Sequence, residues 1–513
     1  MTRHAVFVSL NSNLGYNSLD MQAKIPGGVY KVVWLLQNAG FRAFIVGGSV
    51  RDLLLARAPQ DWDVATDAKP EDVLKIFPDS IYENAFGTVG VKVPASEITE
   101  GASDDKTEIV EVTTFRKEGK YSDQRHPDEV DFTESIEEDL ARRDFTINAI
   151  ALGVNEKKQE IIDPFGGRED LRRRVIRAVG EPDKRFKEDA LRLMRAVRFA
   201  CQLGFEVEKG TAKAIKDNSK LLEAIAKERV RDEFVKIIMS DRAKRGVEEL
   251  EKFGLLQSII PELREGIGVG QNKHHIYTVW EHNLRAMDYA VGKKYSLEVR
   301  LASLLHDVGK PRTKGGDGLN STFYGHEIVG ARMTRKILER LHFSNEAIEK
   351  IYTLVRYHLF YYNVGEVTEA GVRRFIQRVG AENIDDLLKV REGDRIGSGV
   401  PKAVPYKLRH LQFMIEKVRT DPVSPKMLKT NGNELMELLK IQPSPRVGYI
   451  LAALLEEVLD DPSKNTKEYL ENRAGELNNL GEEELKKMGS VAKEKKNEFE
   501  SGVEEEIKRK FHV

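Results

Sequence analysis

Apolar positions recur at helical spacing from Val29 to Asn38, and Gly40 stops that helix. Short apolar runs then mix with helical and polar stretches up to about residue 180. Ala43–Val46, Asp61–Ala65, Gly87–Val93, Ile109–Phe115 and roughly Ala149–Val154 read as strands. Pro94–Thr107, PASEITEGASDDKT, is polar and reads as an exposed loop between two of them. From Asp183 onward no segment reads as a strand. Helical periodicity instead marks Phe186–Leu203, Thr211–Lys216, Lys220–Met239, Arg245–Phe253, Val279–Ala290, Glu298–Leu305, Ile328–Leu341 and Asn345–His358. A later helical block runs from about Tyr406 to Leu459. Residues 1–24 read as a loose leader. The last fifty residues, rich in Lys and Glu and poor in aromatics, suit a solvated helix or a partly disordered tail. The pattern predicts an α+β chain: a small mixed-sheet head followed by a long all-α body.

Composition adds bounds. A chain of 513 residues holds about three or four domains. The single cysteine, Cys201, excludes an internal disulfide framework and fits a reducing compartment. No apolar run is long enough to span a bilayer, and MTRHAVFVSLNSN lacks the layout of a secretory signal. The expected location is the cytoplasm, with no membrane partner. Lys and Arg total 82 against 83 Asp and Glu, a net charge of −1. A globally basic nucleic-acid binder is thereby excluded; a local basic groove is not.

The densest chemistry lies in Phe44–Ala65, FIVGGSVRDLLLARAPQDWDVA. It reads as a strand, a Gly47-Gly48 turn, a helix, and a second strand with Asp61 and Asp63 on either side of Trp62. Residues two apart on a strand point the same way. Both carboxylates therefore leave one face, beside a turn whose backbone can approach a ligand closely. Paired carboxylates can hold two divalent ions, and glycine amides can cradle phosphates. Together they point to metal-dependent phosphoryl or nucleotidyl transfer.

Six segments in order carry a resemblance over roughly residues 25–260. They are GGSVRD with DWD, TTFRKEGKYSDQRHPDEVDF, RRDFTINA (Arg142–Ala149), DPFGGREDL (Asp163–Leu171), EDALRLMRAVRFACQLGF (Glu188–Phe205) and KERVRDEF (Lys227–Phe234). The chain resembles the class II nucleotidyltransferases, which comprise tRNA CCA-adding enzymes and bacterial poly(A) polymerases. The resemblance implies that Asp61 and Asp63 bind magnesium, with Glu111 on EIVEVTTF as a third catalytic carboxylate or a solvent-facing strand residue. It implies that Gly47, Gly48 and Arg51 grip the triphosphate; Arg51 and Asp52 read equally as an ion pair at a helix start. Arg143, Asp144 and Asn148 match the segment that contacts sugar and phosphates. Asn148 also reads as a helix cap, and Arg143–Asp144 as a surface pair.

Asp189 and Arg192 stand three apart on a predicted helix and so share a face. A carboxylate accepts from cytosine N4 or adenine N6, and a guanidinium donates to the adjacent ring nitrogen. Glu188, Asp189 and Arg192 match the family motif that selects C and A by this pairing; the same spacing also gives an ordinary surface salt bridge. In the family the loop before RRDFT is required for the final A. Here Arg116–Asp131 is complete, with Arg125, His126, Pro127 and Asp128 present.

The chain has 11 histidines, several in a second pattern. His282 follows HHIYTVWE, His306 and Asp307 lie in LLHDVGKP, His326 in FYGHEIVGA, His358 in LVRYHLF and Asp394 in EGDRIGSG. This resembles the HD phosphohydrolase domain over roughly 270–400. The resemblance implies that the four His and two Asp hold one or two divalent metals, manganese, nickel or cobalt being suited to an imidazole-rich site. His274 and His275 either line that pocket or are surface residues. Beyond residue 400 the chain resembles the family's helical C-terminal region, but Ser444 stands where the family usually has glycine.

The domains expected are a leader (1–24), a catalytic head (25–180), a helical neck for nucleobase and RNA binding (181–265), an HD domain (266–400), a helical region (401–463) and a charged tail (464–513). The leading reading is addition of CCA to tRNA from CTP and ATP. Poly(A) polymerase and A-adding tRNA nucleotidyltransferase share its motifs. An HD phosphohydrolase with a vestigial head is the reading from another class.

Overall fold

The computed structural model describes residues 25–84, 87–99, 101–103, 105–118, 130–154, 159–272, 276–316, 318–485 and 488. Residues 1–24, Arg125, His126, Pro127, Asp128, His274, His275 and the rest of the tail lie outside the described residues. The chain divides into two compact units, Met1–Pro261 and Glu262–Val513.

The first unit holds a seven-stranded mixed sheet. In chain order the strands are β1 (Ala43–Val46), β2 (Trp62–Thr66), β3 (Ile81–Asn84), β4 (Thr88–Pro94), β5 (Thr107–Thr114), β6 (Arg116–Glu118), β7 (Val130–Phe132), β8 (Ala151–Val154), β9 (Gln159–Ile162), β10 (Val175–Ile176) and β11 (Glu206–Val207). The sheet order is β3-β4-β5-β2-β1-β8-β9, with β6-β7 and β10-β11 as separate pairs. Each of the five expected strands is present to within two residues. β2 and β5 run parallel, with Asp63 opposite Glu111, and β1 runs antiparallel to β2 with Val46 opposite Asp63. Val46, Ala65, Phe115, Leu140, Ala149 and Ala151 form one buried cluster against Phe44 and Phe165. This clamps the central strands whose ends carry the acidic residues.

Three expectations need correction. β11 lies beyond Asp183, pairing with β10 over only two residues, too short for an alternating pattern to register. The helix expected over 186–203 is two helices, Pro182–Glu188 and Arg192–Leu203, because Asp189 is extended (φ −137°, ψ 104°). Lys220–Met239 is likewise divided: a 3₁₀ segment, Ser219–Ala224, precedes the Lys227–Ile238 helix.

The second unit is helical. The expected Val279, Glu298, Ile328 and Asn345 segments form helices Val279–Gly292, Leu297–Leu305, His326–Arg340 and Asn345–Tyr357. Two further helices, Glu369–Val379 and Ile384–Gly397, fall where no segment was expected. The block from Tyr406 resolves into Tyr406–Lys417, Gly432–Leu439 and Pro445–Asp460, and Lys467–Asn478 is helical as well. Ser444 is extended (φ −157°), a conformation that any residue adopts, so its turn does not demand the family's glycine. No helix among the described residues is long and apolar enough to cross a membrane.

Candidate active site

A cavity of about 950 Å³ opens beside the end of β1, the start of β2 and the middle of β5. Asp61, Asp63 and Glu111 line it together, and so do Gly47, Gly48, Arg51, Arg143, Asp144, Asn148, Asp189 and Arg192. These eleven residues therefore reach one place; Glu188 is not among the lining residues. β2 begins at Trp62, so Asp61 sits just outside the ladder. Trp62 is buried, leaving Asp61 and Asp63 on the cavity side. Glu111 is both solvent-facing and cavity-lining, beside Asp63 in the parallel register.

Burial, then the neighbouring Asp61, raises the Asp63 carboxyl above its ordinary value against the opposing pull of Arg143 and Arg51. A site that destabilises carboxylate charge in this way fits a cation. Gly47 turns the chain at φ +75°, and a Cβ there would sit 3.0 Å from both Asp63 Oδ2 and Arg143 Nη1. Only glycine leaves that space open.

The same cavity is rich in arginine. Arg51 is both paired and presented: it meets Asp52 at 2.8 Å, and its Nη1 donates to Asn148 Oδ1 at 2.8 Å. Asn148 donates in turn to Asp144 Oδ1 at 3.1 Å, and Arg195 grips Asp144 Oδ2 at 2.6–2.7 Å. Burial raises the Asp144 carboxyl, but Arg195, Asn148 and Arg192 outweigh it and hold it at about 2. Asp144 is thus an internal anchor for Arg195 and Asn148. Arg143 is anchored by Asp139 at 3.2 Å. Phe199 supports three guanidinium groups, with Arg51, Arg195 and Arg198 at 5.3, 5.3 and 4.3 Å from its ring centroid. Arg192, Arg195 and Arg198 form a helical stripe at spacing three, a signal that the sequence reading left unused.

Asp189 and Arg192 both face the cavity, but not as neighbours on one helix. The helix is interrupted from Asp189 to Leu191. Asp189 Oδ1 accepts from Leu191 N at 3.0 Å, and Oδ2 accepts from Arg229 Nη2 at 3.2 Å. Arg192 donates to Glu188 Oε2 at 2.8 Å and to the carbonyls of Arg142 (3.1 Å) and Arg185 (3.3 Å). Each side chain is preset by separate partners. Arg229, from KERVRDEF, was missed because its partner lies forty residues away.

In the second unit, His282, His306, Asp307, His326, His358 and Asp394 converge from five helices. Nδ1 of His306, His326 and His358 donates to the carbonyl three residues earlier, Ser303, Phe323 and Val355, at 2.7–2.8 Å. This fixes the rings with Nε2 inward. His282 Nε2 lies 2.8 Å from His306 Nε2, 3.0 Å from Asp307 Oδ2 and 3.4 Å from Asp394 Oδ1. Asp307 Oδ1 lies 3.3 Å from His326 Nε2 and 3.6 Å from His358 Nε2. Donor atoms of His282, His306 and Asp394, and of His306, Asp307 and His358, lie close enough to share an ion. Burial pushes His306 down, but Asp307 and Asp394 outweigh it and raise it to about 10. The mixed imidazole and carboxylate donors fit a divalent transition metal. Lys310, one turn after Asp307, is a buried cation that the sequence reading missed. Its Nζ lies 2.6 Å from Asp307 Oδ2 and donates to Gln271 Oε1 at 2.7 Å.

The sequence matches the Poly A polymerase head domain over residues 43–177, the Probable RNA and SrmB- binding site of polymerase A over 204–267, and the HD domain over 279–394. It is 33% identical to the CCA-adding enzyme of Ligilactobacillus salivarius over 444 residues, 86% of this chain and 94% of that one. It is 38% identical to the A-adding tRNA nucleotidyltransferase of Deinococcus radiodurans over 337 residues, 63% of this chain and 75% of that one. The chain belongs to the tRNA nucleotidyltransferase family. Its match to the CCA-adding enzyme of Lactobacillus helveticus is 50% identical over 206 residues, 40% of this chain, and spans about half of that relative, 48%. Among solved structures, the Bacillus stearothermophilus CCA-adding enzyme in complex with CTP aligns with a TM-score of 0.64 at 30% identity, covering 88% of this chain and 97% of that chain. As a tRNA nucleotidyltransferase with an HD domain, the chain is a nucleotidyl-transferring enzyme of α+β architecture, and both domain types imply dependence on divalent metals.

Proposed function

We propose that this tRNA nucleotidyltransferase adds C, C and A to the 3′ end of tRNA from CTP and ATP. The observation that carries the reading is one cavity lined by Asp61, Asp63 and Glu111 together with Arg51, Arg143, Arg195, Asp189 and Arg192. Asp61 and Asp63, with Glu111 beside them, offer only oxygen donors, the set magnesium prefers. Bound there, two such ions would lower the pKa of the primer hydroxyl and neutralise the leaving pyrophosphate. The Gly47-Gly48 backbone and Arg51 hold the triphosphate. Asp144 and Asn148 keep Arg195 and Arg51 aimed at it. Asp189 accepts from the exocyclic amino group shared by C and A, and Arg192 donates to the ring nitrogen beside it. U and G present a carbonyl and a protonated nitrogen at those places and leave both groups unpaired. Arg229 is a positioning residue for Asp189. The L. salivarius and B. stearothermophilus likenesses favour CCA, whereas the D. radiodurans relative marks A addition as the competing outcome. Primer extension on tRNA ending at the discriminator base, C or CC separates the two.

A second activity is supported by the convergence of all six HD-motif side chains. His282, His306, Asp307 and Asp394 would hold one divalent metal, with His326 and His358 completing a second position, and the bound ion would supply an activated water for phosphate-ester hydrolysis. Lys310 holds Asp307 in place. Hydrolysis of bis-p-nitrophenyl phosphate with manganese, nickel or cobalt tests this reading.

A further inference from the structure

The Tyr406–Lys417 helix carries two apolar stripes. Leu408, Leu411 and Ile415 are buried and account for its packing. Tyr406, His410 and Phe413 form a second stripe at i, i+4 and i+7, where Tyr406 is 62% and Phe413 63% exposed. Packing does not require these rings. They are nevertheless ordered against one another. His410 lies 6.1 Å from both Tyr406 and Phe413 and 5.9 Å from Tyr362, whose hydroxyl is hydrogen-bonded to His410 Nδ1.

Tyr362 lies four residues beyond His358 of the HD centre, so their Cα atoms are at most ~14 Å apart. Phe360, between them, packs under Arg391 at 5.6 Å, and Arg391 Nη1 donates to Asp394 Oδ2 at 2.5 Å. Tyr362 and His358 therefore share one stretch of chain, and Arg391 joins Phe360 of that stretch to Asp394. Lys402, Lys407 and Arg409 are exposed nearby. Of the surrounding acids, Glu369 is ion-paired with Lys417 and Arg373 and Glu416 with Arg419, while Glu366 accepts only from the neutral Tyr361 and Asn363 and keeps its charge; Lys402, Lys407 and Arg409 outnumber it. Exposed flat rings among cations suit bases and phosphates of an unpaired strand. A second copy of the same face would bring like charges together.

We propose that Tyr406, His410, Phe413 and Tyr362 form a stacking platform for unpaired RNA, which presents the strand to the HD centre. Binding to the platform stands on the exposed rings and the cations beside them; presentation rests on the hydrolase reading above. The test uses the full chain and a fluorescein-labelled ten-residue oligoadenylate, with unlabelled acceptor-stem minihelix saturating the head. Tyr406→Ala/Phe413→Ala should weaken anisotropy-measured binding roughly 30-fold or more, the loss of two base–ring stacks at the low end of their usual strength. Tyr406→Phe/Phe413→Trp should retain it. Melting temperature and CMP incorporation into the minihelix should match wild type in both variants. For presentation, the alanine variant should raise KM for oligoadenylate hydrolysis while leaving bis-p-nitrophenyl phosphate hydrolysis unchanged. Unaltered oligoadenylate affinity in the alanine variant overturns the platform. So does a wild-type dimer in sedimentation equilibrium that the alanine variant dissolves. A wild-type chain inert toward both phosphodiesters removes the hydrolase reading and the presentation step, and leaves the binding result standing.

Discussion

Asp144→Asn probes the anchor behind the cavity's arginines. The substitution keeps an oxygen for Asn148 and for the Phe145 amide, which now bond Oδ1 at 3.1 and 2.8 Å. It also turns an amide donor toward Arg195, where a carboxylate oxygen now sits at 2.6 Å. Asp144 titrates at about 2 when folded against an ordinary value of 3.8. That difference corresponds to about 2 kcal/mol of stability at neutral pH. Removing one member of a fully buried pair costs roughly 3–5 kcal/mol. The Asp144 side chain is 8% exposed but that of Arg195 is 33% exposed, which favours the smaller figure. Because the folded value is depressed, the contribution is fully present above the unfolded value and fades as pH falls from about 4 through 2. Urea denaturation followed by circular dichroism should show D144N about 2 kcal/mol less stable than wild type from pH 5 to 8, the gap narrowing below pH 4. D144N combined with R195M should lose less than the sum of the two single losses. A gap under about 0.5 kcal/mol, or strict additivity, would refute the anchor argument.

Other expectations are more direct. Asp61→Ala and Asp63→Ala should each abolish CMP and AMP incorporation while filter binding to tRNA stays near wild type, since tRNA affinity comes mostly from phosphate contacts. Arg192→Ala should erode selection of CTP and ATP over UTP and GTP, and Arg229→Ala should do the same by freeing Asp189; single-nucleotide incorporation with each of the four triphosphates measures both. Wild-type selectivity at a normal rate in Arg192→Ala would place base reading elsewhere. His306→Ala/Asp307→Ala should eliminate phosphodiester hydrolysis with every metal and leave CCA addition intact, assayed side by side on one preparation.

Local patterning made the head legible. β1 is a short apolar run and β5 alternates with period two, and Asp61 and Asp63 are two apart, so strand geometry alone places them together. The β10–β11 pair was not legible because two residues carry too little periodicity, and β9, QEII, sets two polar residues before two apolar ones without alternation. The Asp189–Arg192 relation was misjudged for a different reason. EDALRLMRAVRF is periodic throughout, yet tertiary partners break it: Arg229 holds Asp189, while Glu188 and two distant carbonyls hold Arg192. No window of sequence contains those contacts. The Ile384–Gly397 helix escaped notice because it is buried on several sides and mixes Glu392 and Asp394 into its inner face; Glu392 is stabilised there by the hydroxyls of Tyr289 and Tyr295 at 2.9 and 3.0 Å. Asp394 itself was found through its motif, not through its helix.

We propose that one cavity adds C, C and A in order without a template. The decisive measurement is primer extension with purified full-length protein and magnesium on tRNA ending at the discriminator base, at C and at CC, with CTP alone, ATP alone and both. CCA addition entails two additions with CTP alone on the first primer, one on the second, and a single A from ATP on the third. It entails three additions, and then arrest, on the first primer with both nucleotides. Extension from ATP on the CC primer with none from CTP on the shorter primers would contradict it and assign A addition alone; an unbounded adenylate ladder would contradict it in favour of poly(A) synthesis.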